Sequence, residues 1–262
     1  MSPKLFLFKQ KLEYHYKAFD KSQLMPDPLQ FPHLFQDERD IEVMAFIASV
    51  FAYGNVKQII NSLNKFLLVC TNKPYHFIKN FSNQNTQSQF SFIHRFYSSN
   101  DVIQFFYLLK ITYEEFGSLK KLFLTGYNSK DKNLKNAITN FNKYFLGKAQ
   151  KEFKTLSRGI AFMFPLPEKG SACKRINLFL RWMIRKDDLD FGLWKEIPTS
   201  KLIIPVDTHI AKICKRLKLT KRKNVSWKMA EEITANLKKY DPADPVKYDF
   251  AICHIGMRKL EF

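Results

Sequence analysis

A lysine and an aspartate, 33 residues apart, are the residue types in this sequence that best suit covalent chemistry. Lys174 follows a stretch that contains Pro and Gly, and Asp207 follows Pro205 at the start of a segment with helical spacing. A lysine amine can attack an electrophilic carbon and form a Schiff base. A carboxylate at a helix start can stay ionised and can orient or deprotonate such an amine. Taken singly, Lys174 is typical of a solvated helix residue and Asp207 of a helix N-cap.

Helices are expected to position both residues, because apolar residues recur at helical spacing along most of the chain. The acidic turn Asp37–Asp40 predicts the start of a helix that is apolar all round and therefore buried. That helix is predicted to end at Tyr53-Gly54-Asn55, and a second is predicted over 56–70. Another helix should begin at Asp207, and the last is predicted over 245–256. The sequence has no alternating strand pattern, so the predicted fold class is all-α.

Two motifs resemble a known superfamily. Pro205-Val-Asp-Thr-His-Ile resembles the Val-Asp-Thr-His motif of the helix-hairpin-helix DNA glycosylases, which include endonuclease III and 8-oxoguanine glycosylase. There, a hairpin Leu-Pro-Gly-Val-Gly-Arg-Lys-Thr-Ala-Asn precedes that motif, and here Leu166-Pro, Gly170 and Lys174-Arg-Ile-Asn follow in the same order. The wider patterns Gly-Ser-Ala-Cys-Lys-Arg-x-Asn and Asp241-Pro-x-Asp-Pro-Val-Lys-Tyr-Asp-Phe are similar to a bacterial branch, the DUF2400 family, over most of the chain.

The hairpin departs from the superfamily pattern. Glu168 and Lys169 replace two of its glycines, and Lys174 reaches the lysine position only if two residues are inserted. An alignment without a gap places Ala172 there, and Lys169 is a second candidate nucleophile. The resemblance to the characterised glycosylases is confined to about 166–217 and implies a divergent hairpin. The segment Lys186–Pro198 is predicted to be an exposed acidic excursion between two helices.

The resemblance implies a two-lobed, helical HhH-GPD glycosylase fold. Residues 1–262 would form one glycosylase-like unit with two lobes around a cleft, and the hairpin and the Asp207 helix would lie within about 160–220. The implied activity is excision of an oxidised base, 8-oxoguanine first, from duplex DNA, with AP-lyase cleavage through a lysine Schiff base. The implied catalytic residues are Lys174 as nucleophile and Asp207 as activating carboxylate. The implied DNA-binding residues are Lys169, Gly170, Ser171, His209 and Lys212. The residues implied for the base pocket, or for filling the gap that the flipped base leaves, are Tyr53, Asn55 and Cys173.

Cysteine usage and hydropathy bear on cofactors and location. The cysteines that bind the iron–sulfur cluster of endonuclease III have no counterpart here, so no cofactor and no metal are expected. The four cysteines have no Cys-x-x-Cys spacing, which indicates neither a disulfide framework nor a zinc site and favours a cytoplasmic protein. The pattern shows no signal peptide and no apolar run long enough for a membrane span. The expected partner is damaged double-stranded DNA, bound by a monomer.

Three other functions fit the same residues. A monofunctional glycosylase for alkylated bases would use Asp207 and water, and would release the base without cutting the strand. A non-catalytic helix-hairpin-helix protein would bind DNA in a salt-dependent way and release no base. An RNA-binding protein is supported by charge alone.

The composition indicates a folded protein with a polyanionic partner. Apolar residues make up 45% of the 262 residues, which excludes a disordered chain, and 8 Gly and 11 Pro exclude a collagen-like one. The 43 Lys and Arg exceed the 24 Asp and Glu, which gives a net charge of +19. The excess is densest over 174–223, where 14 basic residues stand against 5 acidic ones. Such a density favours a polyanion, and a lysine-rich solvated surface is the simpler alternative.

Overall fold

A computed structural model of the protein describes residues 3–18, 20–82 and 94–257. Within these ranges the chain forms α-helices, short 3-10 turns and two isolated β-bridges, without a strand, so the all-α prediction is confirmed. In the same ranges, no helix has the length and apolar content that crossing a membrane requires. The helices are α1 (Pro3–Lys17), α2 (Glu38–Phe51), α3 (Val56–Val69), α4 (Pro74–Lys79), α5 (Ser99–Phe116), α6 (Leu119–Thr125), α7 (Lys135–Phe153), α8 (Arg158–Met163), α9 (Lys174–Ile184), α10 (Thr208–Arg216), α11 (Trp227–Leu237) and α12 (Asp249–Met257).

The two helices predicted near the start of the chain, α2 and α3, each have a side-chain N-cap. Asp37 caps α2 and Asn55 caps α3, each by accepting a hydrogen bond from a backbone amide two residues further on. Between these helices Gly54 has a φ of +108°, a conformation that suits glycine. The two predicted helices are confirmed, the second ending one residue early. The last helix was predicted from Pro245, which is wrong, because 245–248 form turns and α12 begins at Asp249.

The described residues divide into two compact units. The first unit contains α1 and α9–α12, and its residues come from Met1–Leu24, Asp131–Leu134 and Pro167–Phe262. The second unit contains α2–α8, and its residues come from Met25–Lys130 and Lys135–Leu166. Neither unit is therefore one continuous stretch of sequence.

Helix α2 forms the centre of the second unit. Every residue from Ile41 to Ala52 is buried, as predicted for a helix that is apolar on all faces. The ring of Phe46 lies 5.7–5.9 Å from the rings of Phe105, Phe141 and Phe145. Burial of each aromatic side chain contributes roughly 1.5–3 kcal/mol, so this cluster is a principal source of stability in the unit.

Large aromatic residues also fill the core of the first unit. Trp182, Trp194 and Trp227 are each 1% exposed. The ring of Trp194 packs edge-on against Phe179 of α9 with a centroid distance of 5.2 Å. Helix α12 packs against both α1 and α10. Helices α9, α10 and α12 all belong to this unit, and the start of α9 and the cap of α10 carry the two candidate catalytic residues.

Candidate active site

Helix α9 begins at Lys174, directly after the hairpin of residues 166–173. The preceding residue, Cys173, caps it in the left-handed conformation with φ +48° and ψ +41°. This conformation costs a residue with a β-carbon about 1–2 kcal/mol. The Asn177 side-chain amide donates to the Ala172 carbonyl at 3.1 Å and closes the turn. The Lys-x-x-Asn spacing therefore builds the helix start at which Lys174 lies.

Helix α10 begins immediately after Asp207, which is its N-cap. One carboxylate oxygen, Oδ1, accepts hydrogen bonds from the backbone amides of His209 and Ile210, each at 2.9 Å. These bonds satisfy two amides that have no partner within the helix. The cap uses only one oxygen, so the other is available for a second contact.

The second oxygen of Asp207 faces Lys174. The distance between Lys174 Nζ and Asp207 Oδ2 is 2.9 Å, and the two side chains are 32% and 35% exposed. Both residues lie at the N-terminal end of a helix, where the helix dipole favours an anion and disfavours a cation. The carboxylate offsets that cost for the lysine. The structure thus brings together the two residues predicted to be catalytic.

The carboxyl group of Asp207 is held in its ionised form. Burial raises its pKa, but the charge and hydrogen bond of Lys174 and the amides of Ile210 and His209 outweigh burial, so the pKa lies below its ordinary value. An ionised carboxylate can accept a proton from the neighbouring ammonium, and it can stabilise positive charge that develops on a substrate. The site therefore offers an amine and an anion in direct contact.

The second lysine of the hairpin is placed differently. Lys169 ends the 3-10 turn Pro167–Lys169 and is exposed to solvent. It is Lys174, not Lys169, that forms the ion pair with Asp207. Of the two candidate nucleophiles, the geometry therefore favours Lys174.

Gly170 and Ser171 shape the hairpin itself. Gly170 has a φ of +88°, and its N–H donates to the Pro167 carbonyl at 3.0 Å. Its carbonyl accepts from the backbone N–H of Trp227, the first residue of α11, also at 3.0 Å. Ser171 Oγ accepts from the Cys173 amide at 3.2 Å. Because the Gly170 amide is used within the turn, a phosphate contact at this position has to come from a neighbouring group.

Two further predicted DNA-binding residues lie on α10. Lys212 is exposed, about one turn beyond Asp207. His209 is half-buried, and its Nε2 atom is buried without a hydrogen-bond partner in the described part of the chain. Buried polar atoms are nearly always paired, so an orphaned one marks a place where water, an ion or a ligand can bind.

Tyr53 and Asn55, the predicted gap-filling residues, belong to the second unit. Asn55 Oδ1 accepts from the Lys57 amide at 2.9 Å as the cap of α3. The Tyr53 ring lies 4.5 Å from the guanidinium of Arg95 and 4.8 Å from the ring of Phe162. Local contacts account for the placement of both side chains, and their role at the gap stays a prediction.

Cys173, directly before Lys174, is a buried thiol. Cys173 is 2% exposed, and burial raises the pKa of its thiol to about 12. Such a thiol is neutral at pH 7 and packs as a small apolar side chain. Within the described ranges, no three His, Cys, Asp or Glu side chains are grouped as a metal ion would require. A role for Cys173 in a base pocket stays a prediction.

A buried ionic cluster on α9 was not anticipated from the sequence. Arg181, about two turns beyond Lys174, has a 3% exposed side chain and bonds to Asp190 at 3.1 Å and to Asp249 at 2.6 Å. Burial raises the pKa of Asp249 above its ordinary value, although the charges of Arg181 and Lys174 oppose this. Asp249 begins α12, which packs against the helix that Asp207 caps. The cluster therefore fixes the two catalytic candidates relative to each other.

The same cluster corrects the interpretation of the segment 186–198 as an exposed acidic excursion. Arg185 bonds to Asp187 at 3.0 Å, to Asp244 at 2.9 Å and to Asp190. The Asp190 side chain is fully buried, and of the three aspartates in the segment Asp188 alone is exposed. These carboxylates anchor the segment to α9. Two arginines four residues apart in an apolar helix, followed by aspartates, are the sequence signal for this cluster.

The chain matches a protein family over most of its length. The family is described as "Protein of unknown function (DUF2400)", and the match spans residues 27–258. The matched region contains Lys174, Asp207 and the hairpin. No curated protein and no solved structure matches the chain. Because the family match extends over far more than half of the sequence, the protein belongs to the DUF2400 family.

Proposed function

We propose that the protein is a DNA glycosylase with AP-lyase activity, in which Lys174 is the nucleophile and Asp207 the activating carboxylate. The contact of 2.9 Å between Lys174 Nζ and Asp207 Oδ2 is the observation that supports this most directly. The two residues lie at the starts of different helices and follow the order of the lysine and aspartate in the helix-hairpin-helix glycosylases. A lysine nucleophile must lose its proton before it attacks, and the neighbouring carboxylate of Asp207 is placed to accept that proton.

The proposed reaction begins with loss of a proton from Lys174 to Asp207 or to solvent. The neutral amine attacks C1′ of the target nucleotide, so that an N–C1′ bond forms and the C1′–base bond breaks. The base leaves with the bonding electrons and takes up a proton. Opening of the sugar ring gives a Schiff base between Nζ and C1′, and removal of a C2′ proton then expels the 3′ phosphate by β-elimination. Hydrolysis of the imine regenerates the lysine.

The surroundings of the pair support a catalytic role over a purely structural one. A partly exposed ion pair contributes only about 0–1 kcal/mol to stability. The left-handed conformation of Cys173 costs about 1–2 kcal/mol, which is at least as much. Backbone strain next to a partly exposed polar pair is typical of functional sites, where the surrounding structure holds the strained residue in place. The hydrogen bonds from Asn177 to Ala172 and from Trp227 to Gly170 supply that support.

Charged side chains near the pair are proposed to hold the DNA backbone around the target nucleotide. Lys169 and Lys212 are exposed, and a lysine ammonium binds phosphate as a point charge. The orphaned Nε2 of His209 would gain a partner from a phosphate or from water bound to it. Ser171, in the same hairpin, is a further residue proposed for this surface.

A panel of duplexes that carry 8-oxoguanine, other oxidised bases or alkylated bases tests the proposal. The wild type should release an oxidised base and cut the strand without added alkali. Lys174→Gln should abolish cutting at any protein concentration. Lys169→Gln, which removes a proposed phosphate contact but not the nucleophile, should bind the duplex more weakly and still cut it at saturating protein. Base release that needs alkali for cutting would indicate a monofunctional glycosylase. Salt-dependent binding without release from any duplex would contradict the proposal and favour a non-catalytic DNA-binding protein.

A further inference from the structure

A second basic feature of the first unit is a pocket lined by the segment Asp131–Leu134 and by α11. Its volume is about 500 Å³. Eight of its ten lining residues are charged or polar, and four of these eight are Lys or Arg. We name it the lysine pocket, and its charged lining residues are Lys132, Arg222, Lys228, Lys238, Glu231 and Glu232.

The two acids of the lysine pocket are bound to other groups. Glu231 Oε1 accepts from the Asn133 side-chain amide at 2.9 Å. Glu232 accepts from the Thr220 hydroxyl at 3.0 Å and pairs with Arg222 Nε at 3.0 Å. These contacts fix the walls of the pocket. They leave its three lysines without a carboxylate partner in the part of the chain that the structure describes.

Two lysines of the pocket, Lys132 and Lys238, repel each other. Lys132 and Lys228 are exposed, and Lys238 is half-buried at the end of α11. Burial lowers the pKa of Lys238, and the charges of Lys201 and Lys132 lower it further. Lys247, in the same unit, is by contrast held by two carboxylates at 2.8 Å each. The dipole of α11 stabilises the positive charge of Lys238, which lies at the C-terminal end of the helix, but not the charges of Lys132 and Lys228. A bound anion would therefore stabilise the cluster.

We propose that the lysine pocket binds backbone phosphates of duplex DNA, as a contact separate from Lys174 and Asp207. The choice of DNA among polyanions rests on the proposed function. Lysine ammonium groups bind phosphates without reading the bases, so the pocket contributes affinity for any duplex. The cations that line the pocket can bind the phosphates of a backbone that passes across its opening.

The test is equilibrium binding of an undamaged duplex at a series of KCl concentrations. The variant with Lys132→Gln, Lys228→Gln and Lys238→Gln removes three cations from the pocket. Each lost phosphate contact reduces the slope of log K against log salt by about 0.9, so three contacts reduce it by about 2.7. Between 50 and 200 mM KCl the wild type should therefore lose about 40-fold more affinity than the variant. Equal thermal unfolding midpoints check that the variant is folded.

The matched control carries Lys65→Gln, Lys73→Gln and Lys79→Gln, which remove the same charge from exposed positions of the second unit. It should keep the wild-type slope. An unchanged slope in the pocket variant, or an equal loss in the control, would overturn the proposal. A second result would also overturn it: the wild type binds inorganic pyrophosphate, the pocket variant does not, and the two proteins have the same slope for DNA. The ligand of the pocket would then be a small phosphate compound. The duplex is undamaged, so the salt dependence of binding is measured without any base release. Failure of the phosphate-binding proposal can therefore be distinguished from failure of the proposed glycosylase activity.

Discussion

Asp207 bonds to the helix that it caps and to Lys174 through different oxygens. Oδ1 accepts the amides of His209 and Ile210, and Oδ2 lies 2.9 Å from Lys174 Nζ. One side chain thus begins α10 and places a negative charge beside the amine. The two tasks can be separated by substitution, because asparagine caps a helix as well as aspartate does but carries no charge.

Substitutions of Asp207 should separate capping from chemistry. Asp207→Asn should retain most of the cap, whereas Asp207→Ala should be less stable than the Asn variant by about 1 kcal/mol in urea unfolding. Both variants should lose base release, because neither carries the carboxylate. An Asn variant that unfolds like the wild type and releases base at the wild-type rate would restrict Asp207 to capping.

The ion pair should stabilise the fold at neutral pH and lose its effect in acid. The pKa of Asp207 in the folded protein lies below its ordinary value of 3.8, so the unfolded chain binds this proton more readily. The contribution is therefore present above the unfolded-state pKa and is lost as the pH falls through the folded-state pKa. The difference in unfolding free energy between wild type and Asp207→Asn should be constant from about pH 8 to about pH 5 and should shrink below about pH 4. A difference that varies between pH 5 and 8 would identify another titrating group.

Asp190 should be essential to the stability of the first unit. Its fully buried side chain lies between Arg181 and Arg185, so Asp190→Asn leaves two buried guanidinium groups with one carboxylate fewer. Breaking such a pair costs about 3–5 kcal/mol, which chemical unfolding would measure. Asp188→Asn, at an exposed position of the same segment, should change stability by less than about 0.5 kcal/mol. Equal effects at the two positions would show that the cluster does not anchor the segment.

Two helical glycines should respond to alanine in opposite directions. A β-carbon on Gly159 would lie 2.3 Å from Cγ of Asp101, so Gly159→Ala should destabilise the second unit by about 1–3 kcal/mol. A β-carbon on Gly147, in α7, would meet nothing within 4 Å. Gly147→Ala should therefore stabilise by about 0.5–1 kcal/mol, because glycine is unfavourable inside a helix. Thermal unfolding measures both, and shifts of the same sign would contradict the packing described.

Local signals in the sequence predict the helices that carry the site. Asp37, Asn55 and Asp207 each precede a run with apolar helical spacing, and each caps the helix that follows. The predicted start of the last helix at Pro245 is wrong, because residues 245–248 form turns. There the Asp249 amide donates to the Val246 carbonyl at 3.0 Å.

The sequence does not reveal which residues from distant parts of the chain contact each other. Arg181 and Asp249 are 68 residues apart, and no spacing indicates which acid a buried arginine will meet. The pairing of Lys174 with Asp207 is anticipated through the resemblance alone. The hairpin by itself leaves Lys169 and Ala172 as alternatives at the lysine position. The ion pair with Asp207 favours Lys174.

Borohydride trapping on a duplex with an abasic site tests the role of Lys174 most directly. The lysine amine condenses with the C1′ aldehyde and loses water, and borohydride reduces the imine to a stable amine that joins protein and DNA. The wild type and Lys169→Gln should form this adduct, and Lys174→Gln should form none. A wild type that forms no adduct, or a Lys174→Gln variant that is trapped as efficiently as the wild type, would contradict the assignment.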